Sequence, residues 1–255
     1  MRIDSVTAVV TGAAQGLGRC FALELARAGA RVMAGDIQAD GLATLADEAR
    51  GLPGRVETAP LDVTQEASIR GFLAATVQRF GAPNLLVNNA GILRDGLLAL
   101  REDDGFVRKM PSAQWKSVID TNLTGAYVMA REVVTLMLEN GVAPGLVVNI
   151  SSITGAGNPG QGNYAAAKAG LDAATRTWAL ELARHGIRVG GIAPGLIDTP
   201  MAAGLAAAAR TEMIADVPLG RMGRPEEIWA ALRFIVECDF FTGRVVLVDG
   251  GASYS

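Results

Sequence analysis

The amino-acid sequence predicts an α/β protein in which helices cover both faces of a parallel sheet. Three observations lead to this fold class. Seven short apolar runs, rich in β-branched residues, alternate with longer stretches of helical periodicity. Polar residues do not alternate within these runs, so both faces of each strand are expected to be buried. Strands separated by helices are joined by crossovers, which predicts a doubly wound, seven-stranded parallel sheet.

The strands are predicted where the apolar runs are bounded by Gly, Asp, Asn or Pro. In chain order they are Val6–Val10, Arg31–Ala34, Val56–Ala59, Leu85–Val87, Leu146–Ile150, Arg188–Ile192 and Val245–Val248. Helical periodicity marks the segments between them, and the last helix begins at a proline, which favours a first helical turn. The predicted helices are Gly16–Ala28, Gly41–Arg50, Gln65–Phe80, Ala113–Asn140, Asn163–His185, Met201–Ala215 and Pro225–Val236.

One stretch, Leu97–Met110, fits neither pattern. It is polar, mixed in charge and placed between the fourth strand and the long helix. One interpretation is a solvated surface loop. The other is a contribution to a ligand site, because loops that follow the carboxyl ends of parallel strands shape such sites. The chain shows neither a repeat nor a second zone of composition, so residues 1–255 are predicted to form one domain.

The composition excludes several classes of protein. Half of the 255 residues are apolar and 19% are charged, which suits a globular domain and argues against disorder. The 31 glycines and 10 prolines follow no collagen period and indicate many tight turns. The formal net charge of −3 is spread without a run of like sign, so neither nucleic acid nor an anionic membrane surface is an expected partner.

The cysteines and the first residues bear on location. Cys20 and Cys238 are far apart and lack the spacing of a zinc site or a disulfide framework. We therefore expect no metal site and a reducing compartment. An acidic residue, Asp4, precedes an apolar run too short for a secretory signal, and no apolar stretch reaches the roughly 18 residues of a membrane span. A cytoplasmic protein without a targeting segment is expected.

A glycine-rich turn follows the first predicted strand. It contains Gly12, Gln15, Gly16, Leu17 and Gly18 and leads into helical sequence. Glycines at a strand-to-helix junction let the backbone approach a pyrophosphate, which the free N–H groups at the start of the helix bind. The pattern alone is weak, but its place at the first junction of a parallel sheet predicts a dinucleotide site.

Asp36 lies at the end of the second predicted strand. A carboxylate there accepts hydrogen bonds from both hydroxyls of an adenosine ribose and repels a 2′-phosphate, so NAD(H) is predicted in preference to NADP(H). The arginine or lysine that would bind such a phosphate is missing, because Gln15 stands in the glycine-rich turn and Ile37 and Gln38 follow the acid. The alternative is that Asp36 only caps the next helix.

A second group of residues combines Ser151 and Ser152 with Tyr164 and Lys168. The four-residue spacing of Tyr164 and Lys168 places both on one face of a helix, where an ammonium stabilises a phenolate. Lowering the pKa of a phenol from about 10 to about 7 requires roughly 4 kcal/mol, at about 1.36 kcal/mol per unit. We expect the lysine, a nicotinamide cation and a buried setting to supply this energy. The spacing alone is common and usually means a surface pair.

With these motifs in place, the sequence resembles the short-chain dehydrogenase/reductase family over essentially its whole length. The resemblance implies one Rossmann domain that binds NAD(P) and a small alcohol or ketone substrate. Six ordered motifs carry it, namely Thr11–Gly18, Asp62 with Val63, Asn88–Gly91, Asp120–Gly125, the serine pair with Tyr164 and Lys168, and Pro194–Pro200.

The resemblance also implies a role for each matching residue. Tyr164 would be the acid/base, Lys168 would lower the pKa of Tyr164 and hold the nicotinamide ribose, and a serine hydroxyl would polarise the substrate oxygen. Asn122 would hold a water that links Lys168 to solvent. The remaining matches would contact the cofactor, with Asp62 and Val63 at the adenine, Asn89, Ala90 and Gly91 along one wall, and Pro194, Ile197 and Thr199 at the nicotinamide carboxamide.

Two features depart from the family pattern. The loop before Tyr164 is one residue short, so counting back from Tyr164 selects Ser151 as the catalytic serine, whereas aligning the preceding strand selects Ser152. We favour Ser152, because deletions occur in loops more readily than in buried strands. The stretch Leu97–Met110 is longer than the family norm, and we expect a rim or subunit contact that alters substrate access. Residues 195–216 are expected to form a substrate lid, with an ordinary packed helix as the alternative.

The substrate class depends on a finer resemblance. Asn158–Gly170 and Asn88–Asp95 are similar to the 3-oxoacyl reductase and 3-hydroxyacyl-CoA dehydrogenase branch, which favours a 3-hydroxyacyl or 3-oxoacyl thioester. Reductases of fatty-acid synthesis generally use NADPH, so an NAD-linked enzyme that oxidises a (3R)-hydroxyacyl-CoA reconciles this branch with Asp36. Two alternatives stay open: a dehydrogenase of another secondary alcohol (steroid, sugar-derived or xenobiotic), and a catalytically silent nucleotide-binding member.

A homotetramer is a further implication of the resemblance. The helices Ala113–Asn140 and Asn163–His185 would pair across one two-fold axis, and the last helix and strand across another. Small residues on the two long helices would permit close approach, namely Gly125, Ala126, Ala169 and Ala173.

Overall fold

Nine strands and the helices that connect them make up the computed structural model, which describes residues 1–204 and 207–252. Seven strands form one sheet, and two short strands form a separate hairpin. The strands are, in chain order, β1 Thr7–Thr11, β2 Arg31–Asp36, β3 Arg55–Pro60, β4 Leu85–Asn88, β5 Ala99–Arg101, β6 Val107–Lys109, β7 Gly145–Ile150, β8 Ile187–Pro194 and β9 Val245–Val248.

The large sheet has the strand order β3-β2-β1-β4-β7-β8-β9 and is parallel throughout. The chain proceeds outward from β1 in one direction and then from β4 in the other, which confirms the doubly wound α/β fold. Every residue of β1, β4 and β7 is buried. The apolar runs form the central strands because helices cover both of their faces.

The helices are α1 Gly16–Arg27, α2 Ala39–Glu48, α3 Glu66–Phe80, α4 Ser112–Ile119, α5 Gly125–Glu139, α6 Gly162–Leu182, α7 Pro200–Ala203, α8 Ala207–Ala215 and α9 Pro225–Glu237. Helices α1, α2 and α9 pack on one face of the sheet, and α3, α5 and α6 pack on the other. Phe21 and Leu232 are fully buried on the first face, and Ile69 and Met129 are fully buried on the second. Each such side chain contributes about 1.5–3 kcal/mol through burial. Within the described ranges, no helix is long and apolar enough to cross a membrane.

Two predicted helices are divided in the structure. Ala113–Asn140 consists of α4 and α5, joined by the π-helical turn Asp120–Thr124. Met201–Ala215 consists of α7 and α8, and residues 205–206 of this segment lie outside the described residues. A π-helical turn inside an α-helix is frequently found at a functional site.

The stretch Leu97–Met110 is a hairpin of β5 and β6, not the irregular loop that its polar sequence predicted. Gly105 supplies the positive φ of the turn, at +85°. The Asp104 carboxylate accepts the N–H of Phe106 at 2.9 Å, and the N–H of Glu102 donates to the carbonyl oxygen of Phe106 at 2.8 Å. Strands of three residues are too short to produce a recognisable alternation, which explains why the sequence did not reveal them.

Buried polar side chains connect the two central strands to the helices behind them. Asn88 donates from Nδ2 to Oδ1 of Asn149 and to the carbonyl oxygen of Ala126, both at 3.0 Å. Asn149 donates in turn to the hydroxyl of Thr175 at 2.9 Å. The ends of β4 and β7, the start of α5 and the middle of α6 are thereby held in one arrangement.

Two of the four small residues expected at a subunit contact lie inside the protomer instead. Gly125 and Ala126 are buried, and a Cβ on Gly125 would lie 2.9 Å from the side chain of Val63. Their small size therefore serves the packing of α5 within the chain. Ala169 and Ala173 are exposed on α6.

Arg188 on β8 binds the carboxyl end of the last helix. Its guanidinium donates to the carbonyl oxygens of Ile235 and Phe241 at 2.9 Å and of Val236 at 3.1 Å. The last carbonyl groups of a helix have no partner within the helix. Arg188 satisfies those at the end of α9 and so attaches this helix to the sheet.

Arg188→Leu is expected to lower the free energy of unfolding by about 2–4 kcal/mol, because it leaves half-buried carbonyl oxygens without a charged donor. Urea unfolding followed by circular dichroism measures this change. Arg244→Leu is the control, since the exposed side chain of Arg244 binds only the carbonyl oxygen of Gly243 among the described hydrogen bonds, and its effect should stay within about 0.5 kcal/mol. Equal effects of the two variants would contradict the role of Arg188.

Candidate active site

The carboxyl ends of five strands meet at one edge of the sheet and carry most of the predicted site residues. Gly12 follows β1, Asp36 ends β2, Asn89 follows β4, Ser152 follows β7 and Pro194 ends β8. Between β1 and β4 the strand order reverses, which opens the crevice where ligands bind in doubly wound sheets.

The turn after β1 has room only for glycine at two positions. Gly12 has a φ of +66°, and a Cβ there would lie 2.8 Å from the Cα of Ala90. A Cβ on Gly18 would lie 2.1 Å from the carbonyl oxygen of Gly12. Helix α1 begins at Gly16, after the exposed Gln15, so its first N–H groups lack helical partners and are suited to bind a phosphate. Leu17 packs against the apolar core.

Thr11 and Asn89 hold this turn in shape. Asn89 donates from Nδ2 to the carbonyl oxygens of Thr11 at 2.9 Å and Gly12 at 3.1 Å. The Thr11 hydroxyl accepts the backbone N–H groups of Asn89 and Ala90 at 3.0 Å. Asn89 and Ala90 therefore lie directly beside the glycine-rich turn.

Asp36 is buried, and backbone groups bind both of its carboxylate oxygens. Oδ2 accepts the N–H of Ala14 at 3.0 Å, and Oδ1 accepts the N–H of Gln38 at 3.0 Å. The first bond joins the acid to the glycine-rich turn, and the second forms the turn that precedes α2. The alternative that Asp36 only caps the next helix was wrong, because the N-cap residue of α2 is Gln38 and no side chain caps this helix. Each oxygen retains a lone pair that could accept a ribose hydroxyl.

Asp62 and Val63 follow β3 and shape the approach to α3. Oδ1 of Asp62 accepts the N–H of Thr64 at 2.9 Å and its hydroxyl at 2.7 Å. Val63 is buried against Gly125. These residues therefore have a structural role in the turn in addition to the adenine contact that the sequence predicted.

The segment after β8 faces the glycine-rich turn. Pro194 ends β8, Ile197 is buried, and a Cβ on Gly16 would lie 3.6 Å from the Thr199 side chain. The predicted lid, residues 195–216, comprises this segment with α7 and α8, apart from residues 205–206, which lie outside the described part of the chain. The glycine-rich turn and the segment after β8 thus border the crevice.

Three of the predicted catalytic side chains are brought together by α6 and the turn after β7. The Lys168 Nζ lies 5.4 Å from the centroid of the Tyr164 ring and donates to the carbonyl oxygen of Ile150 at 2.7 Å. The Ser152 hydroxyl hydrogen bonds to the Tyr164 hydroxyl and accepts the N–H of Thr154 at 3.1 Å.

Ser151 lies apart from the phenol. It is 3% exposed, and its Oγ lies 3.4 Å from the carbonyl oxygen of Lys168. Ser151 also lowers the pKa of the Asp172 carboxyl. The structure therefore places Ser152, the serine selected by aligning the strand, next to Tyr164.

The protonation of the two residues on α6 is governed by burial. Removal from water raises the pKa of Tyr164 to about 12; the hydrogen bond with Ser152 opposes this rise and the Asp95 carboxylate adds to it. Burial lowers the pKa of Lys168 to about 8, against the field of Asp172. The expectation that a buried setting helps to lower the pKa of Tyr164 was wrong, because burial disfavours the phenolate.

Asn122 lies buried in the π-helical turn. Its Oδ1 accepts the N–H of Ile92, and its Nδ2 donates to the carbonyl oxygen of Ile92, both at 2.9 Å. Gly91 packs closely, since a Cβ there would lie 2.4 Å from Oδ1 of Asn122. Both atoms of the side-chain amide are thus engaged with the backbone of Ile92.

Polar residues just before Tyr164 were not predicted as part of the site. Asn163 is fully buried and donates to the carbonyl oxygen of Arg94 at 2.9 Å. Gln161 donates to the Asp95 carboxylate at 3.1 Å. These contacts attach Arg94 and Asp95, which precede the β5–β6 hairpin, to the start of α6. They also bring the Asp95 carboxylate close to the Tyr164 phenol. These residues lie next to or within Asn158–Gly170, whose sequence pattern predicted only a substrate branch.

A dinucleotide crevice with a tyrosine and a lysine beside it defines a class of oxidoreductases that exchange hydride with a hydroxyl or keto carbon. The family described as "Enoyl-(Acyl carrier protein) reductase" matches residues 12–253. The chain belongs to the short-chain dehydrogenase/reductase family and is an NAD(P)-dependent oxidoreductase that acts on hydroxyl or keto groups.

Relatives align along nearly the whole chain. The 3-oxoacyl-(acyl-carrier-protein) reductase FabG of Thermotoga maritima is 42% identical over 254 residues, 98% of this chain and 99% of the relative. The (2S)-((R)-hydroxy(phenyl)methyl)succinyl-CoA dehydrogenase subunit BbsD of Thauera aromatica is 38% identical over 255 residues, 99% of this chain and 98% of the relative. A solved short-chain type dehydrogenase/reductase from Mycobacterium marinum superposes with a TM-score of 0.89 at 31% identity and covers 98% of this chain and 96% of that chain.

The burial of Lys168 predicts a pH-dependent stability. Its pKa falls from 10.5 to about 8 in the folded protein, so the unfolded chain binds more protons between these values and stability rises with pH. From about pH 7.5 to about pH 9.5, the free energy of unfolding should rise by about 2 kcal/mol relative to that of Lys168→Met. Urea unfolding at each pH measures it. Lys116→Met, a substitution at an exposed lysine, is the control. A difference in stability between the wild-type protein and Lys168→Met that stays constant with pH would contradict the buried charge.

Proposed function

We propose that this chain transfers hydride between NAD(H) and a 3-hydroxyacyl or 3-oxoacyl thioester, with Tyr164 as the acid/base. The observation that carries the proposal is the hydrogen bond of Tyr164 to Ser152, one helical turn from the ammonium of Lys168. A carbon that exchanges hydride requires a proton transfer at its oxygen, and these groups provide one. Residues 1–255 act as a single domain in this proposal.

The proton steps follow from the positions of three side chains. Tyr164 donates a proton to the carbonyl oxygen during reduction and removes it from the hydroxyl during oxidation. Ser152 donates a hydrogen bond that keeps the substrate oxygen next to Tyr164. Lys168 stabilises the phenolate, since its positive charge lies above the same ring. The nicotinamide, when bound, supplies or accepts the hydride, and Asn122 anchors the water path from Lys168.

The residues around the crevice fit a dinucleotide. The close approaches at Gly12 and Gly18 exclude side chains where a pyrophosphate would meet the start of α1. Asp36 would hold the adenosine ribose and Lys168 the nicotinamide ribose. The other proposed contacts are Gln15, Gly16 and Leu17 at the phosphates, Asp62 and Val63 at the adenine, Asn89, Ala90 and Gly91 along the wall, and Pro194, Ile197 and Thr199 at the carboxamide.

The preference for NAD(H) is supported by the fixed position of Asp36. Its carboxylate cannot turn away from a 2′-phosphate without breaking the bonds to the N–H groups of Ala14 and Gln38. Like charges placed next to each other cost several kcal/mol. Gln15, Ile37 and Gln38 offer no cation to compensate.

The thioester substrate is supported by the relatives. One carries a name that specifies a 3-oxoacyl group on an acyl carrier protein, and the other a name that specifies a hydroxylated succinyl-CoA. The two names share an acyl thioester. An NAD-linked enzyme of this branch would run toward oxidation of a (3R)-hydroxyacyl-CoA.

We also propose a cytoplasmic homotetramer. Exposed apolar side chains support it, because Tyr127, Leu138 and Leu180 lie on α5 and α6, while Phe240 and Leu247 lie at the far edge of the sheet. Exposed apolar residues that cluster on one surface are typical of protein contacts.

Tyr164→Phe is expected to lower turnover at least about 1,000-fold, because it removes the proton that is transferred. Binding of NADH, measured by fluorescence titration, should stay unchanged. Tyr127→Phe, which removes a phenol hydroxyl on α5 but keeps the apolar ring at the proposed subunit contact, is the matched control and should keep wild-type activity. Undiminished turnover of Tyr164→Phe would mean that the chain is a binding module or that another residue transfers the proton.

The substrate and cofactor are tested in one set of assays. Turnover with NADH and acetoacetyl-CoA should greatly exceed turnover with NADPH or with 1-phenylethanone at matched concentrations. Asp36→Asn should reduce the NADH over NADPH preference in kcat/KM at least about tenfold, since it removes the charge that repels the phosphate. Preference for the simple ketone would indicate a general secondary-alcohol dehydrogenase, and preference of the wild-type protein for NADPH would overturn the role of Asp36.

A further inference from the structure

The side chains behind Lys168 form a group that the proposed proton transfer does not use. Asp172 lies one helical turn after Lys168, so Tyr164, Lys168 and Asp172 follow each other at four-residue intervals along α6. The Ser151 hydroxyl, which donates to the carbonyl oxygen of Lys168 at 3.4 Å, lowers the pKa of the Asp172 carboxyl. A Cβ on Gly155 would lie 3.5 Å from Oδ2 of Asp172, which places the carboxylate against the turn that follows Ser152.

We propose that Asp172, one helical turn after Lys168, is a positioning residue that keeps Lys168 protonated next to Tyr164. This assignment rests on the proposed function, in which Lys168 acts on Tyr164. Lys168 is 4% exposed, and the oxygen that it binds, the carbonyl of Ile150, carries no net charge. A buried ammonium requires a negative group nearby, or it loses its proton.

Asp172 is half-buried, at a cost that its neighbours offset. Its Oδ1 is a buried oxygen without a hydrogen-bond partner, which is rare in folded proteins and is expected where a group serves an electrostatic role. Burial raises the pKa of Asp172, while the hydrogen bond with Ser151 and the charges of Arg176 and Lys168 lower it. The carboxylate in turn raises the pKa of Lys168 against the effect of burial.

The charged groups on neighbouring elements are engaged elsewhere. Lys116 on α4 pairs with Asp120 of the π-helical turn at 2.6 Å. Arg188 on β8 binds the end of α9 and lies 3.5 Å from Asp239. Within the described ranges, Asp172 is the carboxylate whose charge raises the pKa of Lys168, and Arg176 is the second cation that acts on Asp172.

The kinetic test is the pH profile of acetoacetyl-CoA reduction at saturating NADH. Wild-type kcat should fall at alkaline pH as Lys168 loses its proton. Asp172→Asn should move this fall to lower pH by about one unit, whereas a merely structural defect would lower kcat equally at every pH. Ser151→Ala should shift it in the same direction by less, and Asp172→Glu should restore the wild-type profile. Glu181→Gln, an exposed acid on the same helix, should leave the profile unchanged.

A second measurement does not require activity. In urea unfolding of the cofactor-free protein, the rise in stability that accompanies deprotonation of Lys168 should begin about one pH unit lower in Asp172→Asn than in the wild-type protein. An unshifted unfolding profile overturns the assignment. If Asp172→Asn does not fold, the profile of Ser151→Ala decides in the same way. If the wild-type protein reduces no carbonyl substrate, the proposed function fails. The unfolding profiles then decide by themselves whether the charge of Asp172 keeps Lys168 protonated.

Discussion

The constraint on which this structure depends is that its central strands are apolar on both faces and must be covered on both. Crossover helices satisfy this requirement, and they force the strands to run parallel. All strands then end at the same edge of the sheet. The glycine-rich turn, Asp36, Asn89 and the serines are far apart in the sequence, yet each follows or ends a strand and therefore meets the others in one crevice.

Periodicity was sufficient to predict most of the fold because the strands and helices are long enough to show it. All seven sheet strands and the undivided helices begin and end within three residues of their predicted bounds. The exceptions are features that leave almost no periodic signal. The hairpin has strands of three residues, and the π-helical turn Asp120–Thr124 interrupts an otherwise continuous helical pattern.

The residues of the site were recognisable from motifs, but their chemical state was not. The sequence placed Tyr164 and Lys168 on one helical face, and the structure agrees with this. Burial, however, opposes the charge on both side chains, and burial depends on what packs around them from other parts of the chain. The contacts of Asn163 and Asp172 likewise arise from tertiary packing, since their partners come from distant segments.

Among the described hydrogen bonds, the side chains that attach the hairpin to the helices bind Arg94 and Asp95, which precede β5. Gln114 donates to the carbonyl oxygens of Arg94 and Asp95 at 2.9 Å, and Asn163 donates to the first of these as well. The anchor precedes β5, so β5 and β6 can be lengthened, shortened or altered while the loop next to Tyr164 keeps its place. On the proposed role of the hairpin as a rim of the crevice, its strands and the proposed proton-transfer groups would be separable, so substrate access could change while Tyr164 and Lys168 keep their arrangement.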